Sequence, residues 1–262
     1  MWEILKRINL PEEERRIEIK NILKDSNWQK IYDDGYLLIY NNQDDKINDT
    51  FLISCHIDSI FDKEDFFVYE EEKEKIIGTL DNSGSLAILL KGMLENRLPK
   101  NVYISFTPDE EDNCQGAKET INFLKERDVF KRLSLVIVMD ISAMADFKKD
   151  VSIENYYLNK EELKKIENIL KKSKIRFYKI PREEALPDES EIYHQYGLKV
   201  FALCLPVKVD CEEDSRCKID LCDEGDIKEH CIKGVITTKE KMEKVKEALV
   251  KIITGLNNID FK

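Results

Sequence analysis

The chain has 262 residues, of which 42 are basic and 53 acidic, so its formal net charge is −11. Its 42 % of apolar residues can form a hydrophobic core, which excludes an intrinsically disordered chain. Nucleic acids and anionic membranes bind clustered lysines and arginines, and the acidic excess opposes such binding. We therefore expect neither a nucleic acid nor a membrane among its partners.

The sequence also indicates where the protein works and how it is divided. No apolar run approaches the roughly 18 residues of a membrane span, and the first residues lack the apolar part of a signal peptide. These features predict a cytoplasmic protein, in which most of the 7 cysteines are free thiols. Neither a linker nor a repeat interrupts the sequence, so we expect one domain over residues 1–262, with an N-terminal helix and hairpin in about residues 1–49.

Hydrophobic periodicity predicts the elements in chain order. The first helix begins at Pro11 and turns four residues toward the core: Ile17, Ile19, Ile22 and Leu23. Strands at 28–32 and 36–40 flank Asp33-Asp34-Gly35, which is a hairpin signal. Strands and helices then alternate: strands at 51–55, 102–106, 133–139, 175–178 and 200–205, and helices at 85–94, 117–124, from 159 onward and at 239–256. The alternation predicts an α/β domain whose helices cover a largely parallel sheet.

The last predicted helix carries an apolar stripe at helical spacing: Met242, Val245, Leu249, Ile252 and Leu256. We expect this stripe to pack in the core.

Polar side chains follow three of the apolar strands at the points where the strands end: His56, Asp58, Glu110, Glu111 and Asp140. Ligands of open α/β sheets bind outside the carboxyl ends of the strands. The five side chains are therefore expected at one edge of the sheet, as candidate functional residues.

His56 and Asp58 are two residues apart, so in an extended segment their side chains project to the same side. Asp58 could then fix the imidazole tautomer of His56 through its second nitrogen, as happens at metal sites. The alternative is a core histidine that lies beside a loop aspartate.

Three further acids have both a structural and a metal-binding interpretation. Asp81 precedes an apolar helix, so it could cap that helix or bridge two cations. Glu110 and Glu111 could belong to an ordinary acidic loop. Carboxylates packed at a strand end raise one another's pKa unless cations balance them. Two divalent ions would offset Asp81, Glu111 and Asp140 and leave Glu110 to move protons.

A second nitrogen ligand would have to come from the other two histidines. His194 falls in a predicted short helix, where it reads as a surface or packing residue. His230 follows an acidic stretch in a loop that could reach a strand edge, so we favour His230.

The ordered set resembles a known family. His56-x-Asp58, Asp81-Asn82, Glu110-Glu111, Asp140 and His230 follow one another at intervals of about 25, 30, 30 and 90 residues. This pattern resembles the dinuclear zinc exopeptidases of the bacterial leucyl aminopeptidase type, and more widely the zinc aminopeptidases, carboxypeptidases and deacylases. The resemblance covers the chain from about residue 56 to its end. The short intervals leave no room for an inserted domain, which favours the compact single-domain members.

The resemblance implies a fold, a cofactor and a role for each residue. The fold would be a three-layer α/β/α arrangement around a central mixed, largely parallel sheet, of the phosphorylase/hydrolase-like kind. The cofactor would be two zinc ions, although cobalt or manganese would suit the same ligands. The implied roles are these: His56 and Asp140 bind one ion, Glu111 and His230 bind the other, Asp81 bridges both, Glu110 is the general base, and Asp58 orients His56. The Asp81–Asn82 peptide bond would be cis.

The implied activity is that of an aminopeptidase, which removes N-terminal residues of small peptides through a dizinc-bound hydroxide. Acidic residues near His230 could hold the ammonium of the substrate. One alternative is a metal-dependent deacylase of N-acyl amino acids, in which Arg182 or Arg216 would grip the substrate carboxylate. Another is a non-catalytic binding protein with the same fold. The exposed edges of the sheet leave a homo-oligomer open.

Four cysteines cluster late in the chain: Cys211, Cys217, Cys222 and Cys231. Their spacing matches no paired C-x-x-C zinc pattern. Free thiols, a disulfide or a structural zinc ion all remain open for them.

Overall fold

A mixed sheet of eight strands forms the centre of the protein, for which a computed structural model describes residues 1–42, 50–209 and 234–257. The strands are β1 (Gln29–Asp33), β2 (Leu38–Asn41), β3 (Thr50–His56), β4 (Val68–Glu71), β5 (Lys75–Gly78), β6 (Val102–Thr107), β7 (Leu133–Ser142), β8 (Val151–Tyr157), β9 (Phe177–Ile180), β10 (Val200–Pro206), β11 (Lys208–Val209) and β12 (Val235–Thr238). The strand order of the central sheet is β1-β2-β6-β3-β7-β10-β8-β9, and a smaller sheet has the order β11-β12-β5-β4.

The centre of the large sheet is parallel. β6, β3, β7 and β10 run in the same direction, whereas β1 and β2 form an antiparallel hairpin at one edge. β2 joins β6 antiparallel, and β8 joins β10 antiparallel on the other side. The carboxyl ends of the four parallel strands therefore lie together along one end of the sheet, which we call its carboxyl edge. A ligand site of an α/β sheet is expected there.

Helices cover both faces of this sheet. They are α1 (Trp2–Ile8), α2 (Glu12–Leu23), α3 (Ser83–Leu94), α4 (Gln115–Glu126), α5 (Lys160–Lys172), α6 (Glu189–Gln195) and α7 (Lys239–Asn257). Helices α1, α2, α3, α5 and α7 pack into one hydrophobic core, and α4 and α6 pack into the other. The predicted three-layer α/β/α fold is therefore confirmed.

Successive side chains along a strand point alternately into the two hydrophobic cores. Within β3, Phe51 and Ile53 enter one core while Leu52 enters the other. Within β7, Ile137 and Val138 separate in the same way. Because helices cover both faces, the central parallel strands have predominantly apolar sequences.

Most of the predicted elements are confirmed with boundaries a few residues apart. The hairpin, the alternating strands and helices and the buried stripe of α7 are all present. The prediction for Ile17 is wrong, because this side chain is 53 % exposed. The buried stripe of α2 contains Arg15, Ile19 and Leu23, at intervals of four residues, which leaves Ile17 on the opposite face.

The sequence patterns do not predict α1, β8 or the smaller sheet, so the N-terminal segment has two helices where one was expected. β8 has the sequence VSIENYY, in which buried Glu154 and Asn155 interrupt the apolar pattern. The predicted strand at 175–178 is displaced, since β9 covers Phe177–Ile180. Within the described residues, no helix is both long and apolar enough to cross a membrane.

Candidate metal centre

Six predicted side chains meet at the carboxyl edge of the central sheet: His56, Asp58, Asp81, Glu110, Glu111 and Asp140. His56 ends β3, the two glutamates follow β6, and Asp140 lies near the end of β7. Ligand atoms of His56, Asp81 and Glu111 lie within 4.8 Å of one another. The parallel register of the three strands thus brings together groups that are far apart in the sequence.

The imidazole of His56 is the centre of this cluster and is only 2 % exposed. Its Nε2 atom lies 3.3 Å from Asp81 Oδ1, 3.4 Å from Asp140 Oδ1 and 4.0 Å from Glu110 Oε2. A single N–H cannot donate to three carboxylates, whereas a cation can be shared among them. Buried Asp81 Oδ1 has no hydrogen-bond partner among the described residues, so it also has a free acceptor for a cation.

Asp58 links His56 to the glutamate loop. Its Oδ1 atom lies 3.4 Å from His56 Nδ1, on the far side of the ring from the other carboxylates. Its Oδ2 atom accepts a hydrogen bond of 3.0 Å from the backbone N–H of Glu111. Asp58 thus lies beside the Nδ1 atom of His56, and Nε2 faces the other carboxylates.

The loop that carries Asp81 is anchored by the residue that follows it. The Asp81–Asn82 peptide bond is cis, as the resemblance implies. Asn82 Nδ2 donates to the carbonyl oxygen of Met139 at 2.8 Å and to Cys55 Sγ at 3.4 Å. Asn82 also occupies the position before α3, where its side chain makes no capping hydrogen bond. Asp81 itself is therefore not the N-cap of α3.

The cluster carries an excess of acidic side chains, which shifts the pKa values of its members. Burial, reinforced by Asp140 and Glu111, raises the pKa of Glu110 well above its ordinary value. Burial and the charge of Asp81 raise the pKa of Glu111 to about 8. Burial alone would lower the pKa of His56, but the carboxylates around it raise that pKa well above its ordinary value. Divalent cations would relieve this mutual repulsion, and imidazole with carboxylates is a ligand set that zinc accepts.

A second buried acid lies behind the cluster, and the sequence patterns do not identify it. Glu189, at the start of α6, is fully buried and its Oε2 atom accepts a hydrogen bond of 2.7 Å from Ser54 Oγ. Ser54 Oγ also lies 2.8 Å from the hydroxyl of Tyr193. Burial raises the pKa of Glu189 to about 7. In the sequence, Glu189 is marked merely as an acid at the start of a short helix that precedes a strand.

Several predicted residues lie elsewhere or outside the described residues. His230, Arg216, Cys211, Cys217, Cys222 and Cys231 lie outside the described residues. His194 is exposed and stacks on Tyr157, with ring centroids 4.1 Å apart. The guanidinium of Arg182 lies over the same ring, 5.4 Å from its centroid. Among the described cysteines, Cys55, Cys114 and Cys204 are free thiols.

Solved structures of similar fold include aminopeptidases and other peptidases. An aminopeptidase from the archaeon Desulfurococcus kamchatkensis has a TM-score of 0.72 at 11 % identity, with 96 % of this chain and 93 % of that chain covered. A TET aminopeptidase from a marine sediment archaeon of the Thaumarchaeota has a TM-score of 0.72 at 11 % identity, with 96 % of both chains covered. The TET1 peptidase of Pyrococcus horikoshii has a TM-score of 0.68 at 15 % identity, with 98 % of both chains covered. At such identities the likeness concerns the fold.

The sequence itself carries the family assignment. No curated protein matches it significantly. Residues 37–214, which are more than half of the chain, match the family model described as Peptidase family M28. This stretch holds His56, Asp81, the two glutamates and Asp140, the residues that the fold brings to one edge of the sheet. The chain belongs to Peptidase family M28.

Proposed function

We propose that this protein is a metal-dependent aminopeptidase that releases N-terminal residues from small peptides. The observation that carries the proposal is the position of His56 Nε2, 3.3 Å from Asp81, 3.4 Å from Asp140 and 4.0 Å from Glu110. A buried imidazole surrounded by carboxylates at a sheet edge suits metal-assisted hydrolysis better than it suits a structural role. Membership of a peptidase family supports the same reaction.

The proposed cofactor is a pair of zinc ions. His56 and Asp140 would hold one ion, Glu111 and His230 the other, and Asp81 would lie between them. The described members of this set fit such a role, because His56, Asp81 and Glu111 already place ligand atoms within 4.8 Å of one another. A divalent ion at this place supplies Lewis acidity, which lowers the pKa of a water molecule and polarises a carbonyl.

Glu110 is the proposed general base. Its side chain is 12 % exposed, and its Oε2 atom is 4.0 Å from His56 Nε2, so it can reach a substrate bound over the cluster. Glu110 would accept a proton from the attacking water and then pass that proton to the leaving amine. Asp58 would keep the Nδ1 atom of His56 protonated and the ring oriented throughout.

Metal analysis is the first test of this proposal. Untagged wild-type protein purified from cells grown with zinc should contain about two metal ions per chain, as measured by mass spectrometry. The Glu111→Ala variant should contain fewer. Asp112→Ala is the matched control, because Asp112 is the next residue, is exposed and bonds Asn113 instead of the cluster. Wild-type protein without metal, and without rescue by added zinc, cobalt or manganese, would favour a non-catalytic binding protein.

Substrate screening separates the aminopeptidase from the deacylase. We expect the metal-loaded protein to hydrolyse peptides with a free N-terminus, and Glu110→Gln to lose about 10²–10⁴-fold in kcat while it retains its metal. Hydrolysis of N-acyl amino acids alone would instead assign the deacylase. In the described part of the chain, Arg182 lies over the ring of Tyr157, which gives the deacylase no specific support.

Self-association is part of the proposal. The TET1 peptidase of Pyrococcus horikoshii, which shares the fold, can assemble into a tetrahedron or a large octahedral shell. For the present chain we propose a homo-oligomer of undetermined size. Light scattering coupled to size-exclusion chromatography would show a mass that is a multiple of 30.8 kDa, and a mass of 30.8 kDa would reject the proposal.

A further inference from the structure

Side chains of the N-terminal segment, residues 1–42, contact each of the loops that carry the candidate metal ligands and base at the ends of β3 and β6 and before α3. Asn9 bonds Ser83 at the start of α3, two residues after Asp81. Arg15 bonds the loop that follows His56, and Tyr36 bonds the loop of the two glutamates. All three residues precede residue 37, where the match to the family model begins. The segment therefore adds contacts to the site from outside the matched region.

Arg15 makes the most extensive of these contacts. It lies on α2 with no exposed surface. Its Nη1 atom donates to the carbonyl oxygen of Ile57 at 3.0 Å and to that of Asp58 at 3.2 Å, directly after His56. Its Nε atom donates to the carbonyl oxygens of Ile8 at 3.1 Å and Leu10 at 3.0 Å. The planar guanidinium thus joins the turn between α1 and α2 to the His56 loop in a geometry that an ammonium group cannot reproduce.

Arg15 also places a buried positive charge beside the acidic cluster. Burial lowers its pKa to about 10, partly offset by the charges of Asp81 and Asp58, so the group stays protonated at neutral pH. Its Nη2 atom has no hydrogen-bond partner among the described residues. The ring of Phe66 lies against the guanidinium, 5.5 Å from ring centroid to Cζ. The remaining stabilisation of this charge therefore includes its attraction to the carboxylates of the site.

Tyr36 and Asn9 act on the other two loops. The Tyr36 hydroxyl donates to the carboxylate of Asp109, which has a left-handed backbone with φ of 54° directly before Glu110. Asn9 is 6 % exposed, and its Oδ1 atom accepts a hydrogen bond of 2.8 Å from Ser83 Oγ, two residues after Asp81. Each contact fixes a loop next to a proposed ligand or base.

We propose that Arg15, assisted by Asn9 and Tyr36, is a positioning residue that sets the His56, Asp81 and Glu110 loops for metal binding before a metal arrives. The inference rests on the proposed function of the cluster. A site whose ligands are held in place in advance loses less conformational freedom when it binds a metal, so its affinity is higher. Loosened loops should therefore weaken metal binding and slow turnover without a matching change in substrate affinity.

The test compares Arg15→Lys with Arg16→Lys in the full-length protein. Arg16 is the matched control: it is the next residue of α2, is 8 % exposed and pairs with Asp33 of the hairpin, not with the site.

Zinc affinity is measured by competition with a chromophoric chelator, and the cobalt-substituted proteins are compared by their visible spectra. Arg15→Lys should weaken zinc binding about 10–100-fold. It should also lower kcat about tenfold or more with KM changed less than about threefold. Arg16→Lys should stay within about twofold of the wild type in each.

The outcomes separate this inference from the proposed function. Wild-type protein that binds none of zinc, cobalt and manganese overturns both. The positioning role alone is overturned if folded Arg15→Lys keeps the zinc affinity and the cobalt spectrum of the wild type. It is also overturned if Arg16→Lys loses as much zinc affinity and kcat as Arg15→Lys. If Arg15→Lys does not fold, the double variant Asn9→Ala, Tyr36→Phe decides. Weaker zinc binding by that folded variant supports the inference, and unchanged binding overturns it.

Discussion

Among single residues of the candidate site, Asp58 lies between the imidazole of His56 and the glutamate loop. It lies 3.4 Å from His56 Nδ1 and accepts a hydrogen bond of 3.0 Å from the Glu111 backbone. Loss of its charge would release the imidazole and the glutamate loop together. We predict that Asp58→Asn lowers zinc affinity about 10–100-fold, measured by chelator competition. Asp112→Asn is the control, and equal affinities in the two variants would contradict the prediction.

The residues that could be found from sequence are those whose type and place in the chain both carry information. His56 and Asp140 follow apolar strands, so the topology of an α/β sheet predicts that they meet. Arg15 could not be found, because its partners are the backbone carbonyls of Ile57 and Asp58, which no sequence pattern marks. Glu189 is hidden for a similar reason, since its burial results from the packing of α6 against the central sheet.

At the scale of elements, the packing of α4 against the preceding loop determines where the two glutamates lie. The backbone N–H of Gly116, in the first turn of α4, donates to the carbonyl oxygen of Pro108 at 3.3 Å. A Cβ atom at Gly116 would lie 2.6 Å from that oxygen and 2.8 Å from the Pro108 nitrogen. Only glycine allows this approach, so the loop and the helix must separate if a side chain is added.

We predict that Gly116→Ala lowers kcat/KM at least tenfold and destabilises the protein by about 1–3 kcal/mol, because the Glu110–Glu111 loop must shift. Gly92→Ala is the matched control, since the nearest neighbour of a Cβ atom there would be the Lys246 side chain of α7, 3.9 Å away. That change should stabilise the protein by about 0.5–1 kcal/mol and leave kcat/KM unchanged. Kinetics together with urea denaturation measure both variants. Wild-type kcat/KM in Gly116→Ala would show that the loop position is not critical.

The elements that sequence patterns predict well are those that an apolar period defines. β3, β6 and β7 are predominantly apolar and mostly buried, and α7 keeps its stripe over the whole helix. β8 breaks the rule because it buries Glu154 and Asn155 in the sheet. Asn155 Nδ2 donates a hydrogen bond of 2.7 Å to the carbonyl oxygen of Leu186, a tertiary contact that a local pattern does not contain.

At the scale of the whole molecule, buried acids should make the metal-free protein less stable as the pH rises. Burial raises the pKa of Glu154 to about 7 and that of Glu189 to about 7, from an ordinary value of 4.5. Between these values the folded state holds protons that the unfolded state has released. The folded protein therefore loses stability from about pH 4.5 to pH 7, by on the order of 3 kcal/mol for each group. Acids whose pKa is lowered, such as Asp33 with a pKa of about 2, change the stability only at pH values below this range.

Urea denaturation in the presence of a chelator at pH 5, 6, 7 and 8 measures this slope. We predict that the free energy of unfolding falls from pH 5 to pH 7, and that Glu154→Gln and Glu189→Gln each flatten this fall by removing one titrating group. Exposed Glu126→Gln should leave the slope as in the wild type. A free energy that is constant or rises with pH would mean that the two acids ionise without cost in the folded protein, and hence that positive charge or water reaches them. Because added zinc should offset the negative charge of the neighbouring cluster, the fall should also be smaller in the metal-loaded protein.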